Sequence, residues 1–171
     1  MRLVCLALVF VSATATARRE APKPPLSIAP LAWGMNVEVA RATLELKQMA
    51  PEYDETRRYM AMTKDEPYVR HTSEPGFRYV PRKGWHGFAH FAWNETVTDY
   101  RIDHVLHGAE GLTDAQLADE LAALSSTYGA PDETRESYRG WRRGNRQLGV
   151  GYSKDEVTGR WNLWLRYTLE G

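Results

Sequence analysis

The chain has 171 residues, and its 22 basic and 22 acidic side chains leave no formal net charge. That balance argues against a dedicated polyanion binder, so no nucleic-acid partner is expected. The sole cysteine, Cys5, lies near the N-terminus. A chain that loses its first residues therefore has no disulfide, no Cys–Zn site and no cysteine nucleophile.

Residues 1–17, MRLVCLALVFVSATATA, begin with a short positive region at Arg2. A continuous apolar run follows from Leu3 to Val11, and Ala15-Thr16-Ala17 fits a small-x-small cleavage site. This is the pattern of a secretory signal peptide. The run is about 9 residues long, where a membrane span needs roughly 20. An uncleaved N-terminal anchor is the alternative, kept open by Arg18-Arg19. No later stretch is apolar enough to span a membrane, so residues 18–171 are expected to be exported, to the periplasm or beyond. An exported chain without disulfides must be held by its core, which suits a bacterial envelope.

Residues 18–31 are rich in Pro and charge and read as a linker, with one domain over 32–171. Asn36 is an N-cap candidate, and Glu38 faces the positive helix end. Two apolar series, Val37-Ala40-Leu44 and Val39-Ala42-Leu46-Met49, predict a helix with a wide apolar face ending before Pro51. Period-two alternation then predicts strands at 88–93 and 100–106, with less regular candidates at 56–63 and 76–80. Tyr100, Ile102, His104 and Leu106 are expected on one face. Thr113-Asp114-Ala115-Gln116 is a capping box opening a second helix, whose stripe is Leu117, Leu121, Leu124 and Tyr128. Gly129 and Pro131 end it. Residues 147–152 and 161–167 read as a hairpin around SKDEVTGR. The expected class is α+β: an antiparallel sheet with two helices packed on one face. The order also allows a degenerate tandem α-β repeat.

The Trp33-Gly34-Met35-Asn36 entrance and the Tyr128-Gly129-Ala130-Pro131 exit resemble helix boundaries in small bacterial envelope proteins of the SmpA/OmlA (BamE-like) group and of the beta-lactamase-inhibitor-protein type. In the first group both motifs bracket one helical region; here they lie in different halves, and that group's lipid-anchor cysteine is absent. The resemblance implies an envelope assembly or inhibitor role.

Four of the five histidines fall in HGFAHF (86–91) and HVLH (104–107). In a strand, His86 and His90 share a face but stand about 13 Å apart, too far for one ion. His104 and His107 fall on opposite faces. A hairpin closing around 94–98 would pair His86 with His107, and that pair with Asp103 is the metal alternative. The preferred reading is ordinary strand histidines, with no metal and no cofactor. Motifs of catalytic serine, zinc-protease and phosphate-loop type are missing, so no catalytic residue is assigned.

Two surfaces are candidates for binding. RESYRGWRRGNR (135–146) gathers Arg139, Arg142, Arg143 and Arg146 around Tyr138 and Trp141, offering planar cations and flat rings. The alternative is a solvated turn with Trp141 in the core and the arginines paired to Glu133 and Glu136. In the last strand, Trp164 and Arg166 share a face, with Trp164 expected across from Gly149. It then serves either as cover for bare backbone or as an exposed platform. Tyr138, Arg139, Trp141, Arg142, Arg143, Trp164 and Arg166 are thus the expected binding residues. The expected function is a non-catalytic interaction with an envelope protein or an anionic envelope component. The alternatives are an inhibitor or accessory subunit of an extracellular enzyme, and a small hydrolase or small-ligand binder.

Overall fold

The computed structural model describes residues 22–59 and 71–169. The expected signal peptide and residues 60–63 of the strand expected at 56–63 lie outside the described residues. The fold is mixed α+β. In chain order it runs α1 (Val37–Leu46), β1 (Glu52–Tyr59), β2 (His71–Tyr79), β3 (Trp85–Asn94), β4 (Asp99–Leu112), α2 (Asp114–Tyr128), β5 (Glu133–Arg135), β6 (Tyr138–Arg143), β7 (Arg146–Lys154) and β8 (Trp161–Leu169). The strands form one antiparallel sheet in the order β1-β2-β3-β4-β8-β7-β6-β5. Among the described residues, no helix is long and apolar enough to cross a membrane.

The capping chemistry read from sequence is present. Asn36 Oδ1 accepts from Val39 N at 2.9 Å. Thr113 Oγ1 accepts from Gln116 N at 3.2 Å, and Gln116 Oε1 accepts from Thr113 N at 2.9 Å. Gly129 ends α2 with φ 79°. The apolar face of α1 is narrower than expected. Ala40 and Leu44 are buried, while Val39 and Leu46 face solvent.

Alternation gives the sheet two faces. The core face carries Phe77, Tyr79, Ala89, Phe91, Ile102, Val105, Trp141, Leu148, Val150, Leu163, Leu165 and Tyr167, all buried. Ala40, Leu44, Leu117 and Tyr128 of the helices belong to the same cluster.

Two expectations fail here. The segment read as a linker contributes Leu26, Ile28 and Leu31 to the core, each at most 4% exposed. Extended chain turns alternate residues the same way, so a Pro-rich strap can seal a core edge. It is anchored by Lys23 to Asp132 at 2.7 Å, and by the Tyr128 hydroxyl donating to Ser27 O at 3.3 Å. The packed domain therefore begins before residue 32. Residues 135–146 are likewise no solvated turn, because β5 and β6 extend the sheet there.

Candidate functional site

The outer face of the sheet is the candidate site. On β8 it carries Trp164 and Arg166, both exposed, between the buried Leu163, Leu165 and Tyr167. The β7–β8 hairpin pairs Trp164 with Gly151 and Gly149 with Arg166, two residues from the expected register. The cause is the turn. Asp155 Oδ1 accepts from Val157 N at 3.0 Å and Thr158 N at 2.7 Å, and Gly159 takes φ 64°. The hairpin centre therefore moves one residue towards the C-terminus, which doubles into a two-residue shift across the strands.

Glycines on this face receive aromatic rings. A Cβ at Gly151 would fall inside the Trp164 indole. At Gly149 it would lie 3.2 Å from the Tyr138 ring, and at Gly76 2.7 Å from Phe88. The rings lie over bare backbone, which shields its hydrogen bonds and leaves broad aromatic surface outward. Over β6, β7 and β8 this creates a cavity of about 550 Å³ lined by Tyr138, Gln147, Trp164, Arg166 and Thr168 above Gly149 and Gly151. No acidic residue lines it. Among the described residues, Arg166 has no ion pair.

The seven expected binding residues thus separate. Tyr138, Trp164 and Arg166 meet in this cavity, and Arg142, paired with Gln147, lies on the same face. Arg139 pairs with Val150 on the core face and stacks 5.8 Å from the Tyr152 ring centroid. Trp141 is a correction to the binding set and takes the core place given as the other reading: it is 0% exposed, and its Nε1 donates to Gly129 O at 2.9 Å. The facing Leu148 puts it in the core. Arg143 is the second correction. It donates to Asp132 Oδ2 at 2.9 Å, Tyr128 O at 2.7 Å and Pro24 O at 3.2 Å, tying the strap to α2 and β6. The acid it meets is Asp132, whose carboxyl is held down to about 2 by hydrogen bonds from Lys23, Arg142 N and Arg143.

No family model, curated protein or solved structure matches this chain.

The other half of the outer face, over β1 to β4, is different in charge. A second cavity of about 720 Å³ is bordered by Glu52, Asp54, Arg78, His86, Phe88 and Glu110. Arg78 is neutralised there by Asp54 at 2.7 Å. Beside it sits a histidine cluster that sequence reasoning paired wrongly. The β3–β4 hairpin closes around residues 95–98 as expected, with Asn94 opposite Asp99 and Phe91 opposite Ile102. Asp103 is then an extra residue, a β-bulge, and beyond it His90 faces His104 while His86 faces Gly108. A bulge turns two successive residues to one side, so Asp103 and His104 both join the outer face. The signal was legible: Ile102 and Val105 are apolar but three apart, which breaks period two. His104 and Leu106 consequently do not share a face with Ile102.

His90 is 0% exposed and lies between two carboxylates. Its Nδ1 is 2.6 Å from Asp103 Oδ1 and its Nε2 is 2.8 Å from Glu74 Oε2, the latter not aligned for a hydrogen bond. His104 Nδ1 is 3.3 Å from Asp103 Oδ2, and the two imidazoles stack with centroids 4.5 Å apart. Burial of Asp103 opposes its charge, but hydrogen bonds from His104 and His90, and their positive charge, outweigh it and hold the carboxyl well below the usual range. His107, on the core face, touches none of these. Its Nε2 meets the Tyr79 hydroxyl at 2.7 Å.

Proposed function

We propose that this chain is an exported, non-catalytic binding protein of the bacterial envelope, and that it takes an acidic segment of a partner protein on the outer face of its sheet. The N-terminal signal pattern supports export. Helix residues sharing one buried cluster with the core face support an architecture of two α-then-four-strand units joined at β4 and β8, with both helices on the core face and the outer face left open.

One observation carries the reading: Arg166 is exposed and without an ion pair among the described residues, in a cavity lined by no acid. A guanidinium beside Trp and Tyr rings is a pairing enriched where partners bind most tightly. Its planar fork suits a carboxylate, and the two rings supply apolar area for a neighbouring side chain. A hydrolytic alternative would use the histidine cluster, but a general base must reach its substrate, and buried His90 does not.

Panning a random peptide library against the domain tests the proposal. Selected peptides should be rich in Asp or Glu next to an aliphatic or aromatic residue, and should lose binding to Arg166→Glu. Selection without acid enrichment, or equal binding to R166E, contradicts it. Retention on anionic lipid vesicles, abolished by the same substitution and with no peptide selected, would replace the protein partner by a lipid.

A further inference from the structure

The geometry points to a second site on the outer face: a divalent transition-metal site of the zinc class formed by His90 on β3 with Asp103 and His104 on β4, and with Glu74 on β2 against His90. This site stands apart from the Arg166 cavity and does not depend on the reading above.

Four observations converge. First, two imidazoles and a carboxylate each offer a donor atom, and these atoms lie within 4.8 Å of one another. An ion bound tetrahedrally at about 2.0–2.2 Å needs its donors roughly 3.4 Å apart. Closing the set thus takes a movement of about 1 Å, well within side-chain rotation. Second, the movable partners are the outer ones. The side chains of His104 and Asp103 are 15% and 25% exposed, whereas His90 is sealed. The ion has an entry side and a fixed base. Third, each ring nitrogen of His90 already has a carboxylate beside it. Whichever nitrogen binds the ion, the other N–H finds an acceptor, and this is the arrangement that orients metal-bound histidines and raises their basicity. Fourth, the β-bulge has a consequence here. A regular ladder would set Asp103 across from His90 on the outer face and send His104 to the core face, whereas the extra residue turns Asp103 and His104 together to the same side as His90.

The donor set also selects the ion. Two nitrogens and one or two oxygens suit zinc, nickel or copper, while calcium and magnesium demand oxygen ligands in greater number. With Glu74 at the far ring nitrogen of His90, orienting that ring, the three ligands leave the fourth position to water. The site's role is to clamp β2, β3 and β4 together in the β1–β4 half of the outer face.

The test uses the metal-stripped domain spanning residues 18–171. Zn²⁺ is titrated by calorimetry and Co²⁺ by visible absorption, each at neutral pH. We expect one ion per chain and the absorption of tetrahedral Co²⁺. His104→Ala and Asp103→Ala should each weaken Zn²⁺ by at least about tenfold, as His86→Ala, whose ring covers Gly108 on the same face, should not. Both ligand variants alter partly exposed side chains, so circular dichroism checks that they stay folded. If His90→Ala unfolds, the His104 and Asp103 results decide. Absence of stoichiometric uptake, uptake unchanged in both ligand variants, or loss in His86→Ala alone overturns the site. Ca²⁺ binding in preference to Zn²⁺ also overturns it.

Discussion

Acidification from pH 7 towards pH 4 charges His107 in the unfolded chain well before it does so in the folded one. The ring lies on the core face between Tyr79 and Tyr167, edge-on to each at 5.8 Å. Its Nε2 is hydrogen-bonded to the Tyr79 hydroxyl at 2.7 Å. Burial lowers the imidazole from 6.5 to about 4, with the positive charges of Arg82 and His86 adding to it. The neutral form is thus the folded form. Its stabilising contribution is fully present above about pH 6.5 and is lost as pH falls towards 4, because the unfolded chain then binds the extra proton. At about 1.4 kcal/mol per pKa unit, the contribution amounts to about 3 kcal/mol. Urea unfolding of the wild type and of His107→Gln at pH 7, 5.5 and 4 measures it. Glutamine keeps an acceptor for Tyr79 and does not titrate, and the other acids are common to both proteins. The wild type should lose about 3 kcal/mol more than H107Q across this window. Parallel stability–pH curves, or an NMR titration of His107 near 6.5, would refute the reasoning.

Gly151→Ala should displace the Trp164 indole, raising acrylamide quenching of that ring; overpacking costs about 1–3 kcal/mol, and the exposed ring can swing out, so the lower end is expected. Trp141→Phe should cost about 2 kcal/mol in urea unfolding, from lost packing and one lost hydrogen bond, and leave peptide binding intact. Arg143→Ala should cost about 2 kcal/mol as its charged hydrogen bonds to Asp132, Tyr128 and Pro24 go, and limited proteolysis should then cut sooner before Leu26. Thr113→Ala should remove the capping box and cost about 1 kcal/mol by thermal unfolding.

Local chemistry was readable in the sequence and long-range register was not. Asn36, Thr113 and Gln116 act on backbone groups three residues away, so their caps follow from spacing alone. The antiparallel sheet followed from period two and short connections. Single-residue events defeated the finer reading. The Asp103 bulge moved His86 away from His107 and brought His90 and His104 together. The Asp155-centred turn set Trp164 on Gly151. Trp141 and Arg143 entered the binding set because their neighbours are charged, although a core place for Trp141 was also read from the sequence. Trp141 is buried against Leu148, its partner across the β6–β7 turn, and bonded to Gly129 O, while Arg143 is held by Asp132, Tyr128 O and the strap at Pro24, long-range contacts that nothing beside Arg143 marks. Glu74 could not be joined to His90 without knowing that β2 pairs with β3.

The open outer face is the claim on which the rest depends. Hydroxyl-radical footprinting compares the purified domain with the same protein in the envelope of cells that make it. Tyr138 and Trp164 should be protected in the envelope and not in isolation, while Val39 and Leu46 of α1 stay equally reactive. Protection confined to α1, or none at Tyr138 and Trp164, would show that the partner is taken elsewhere.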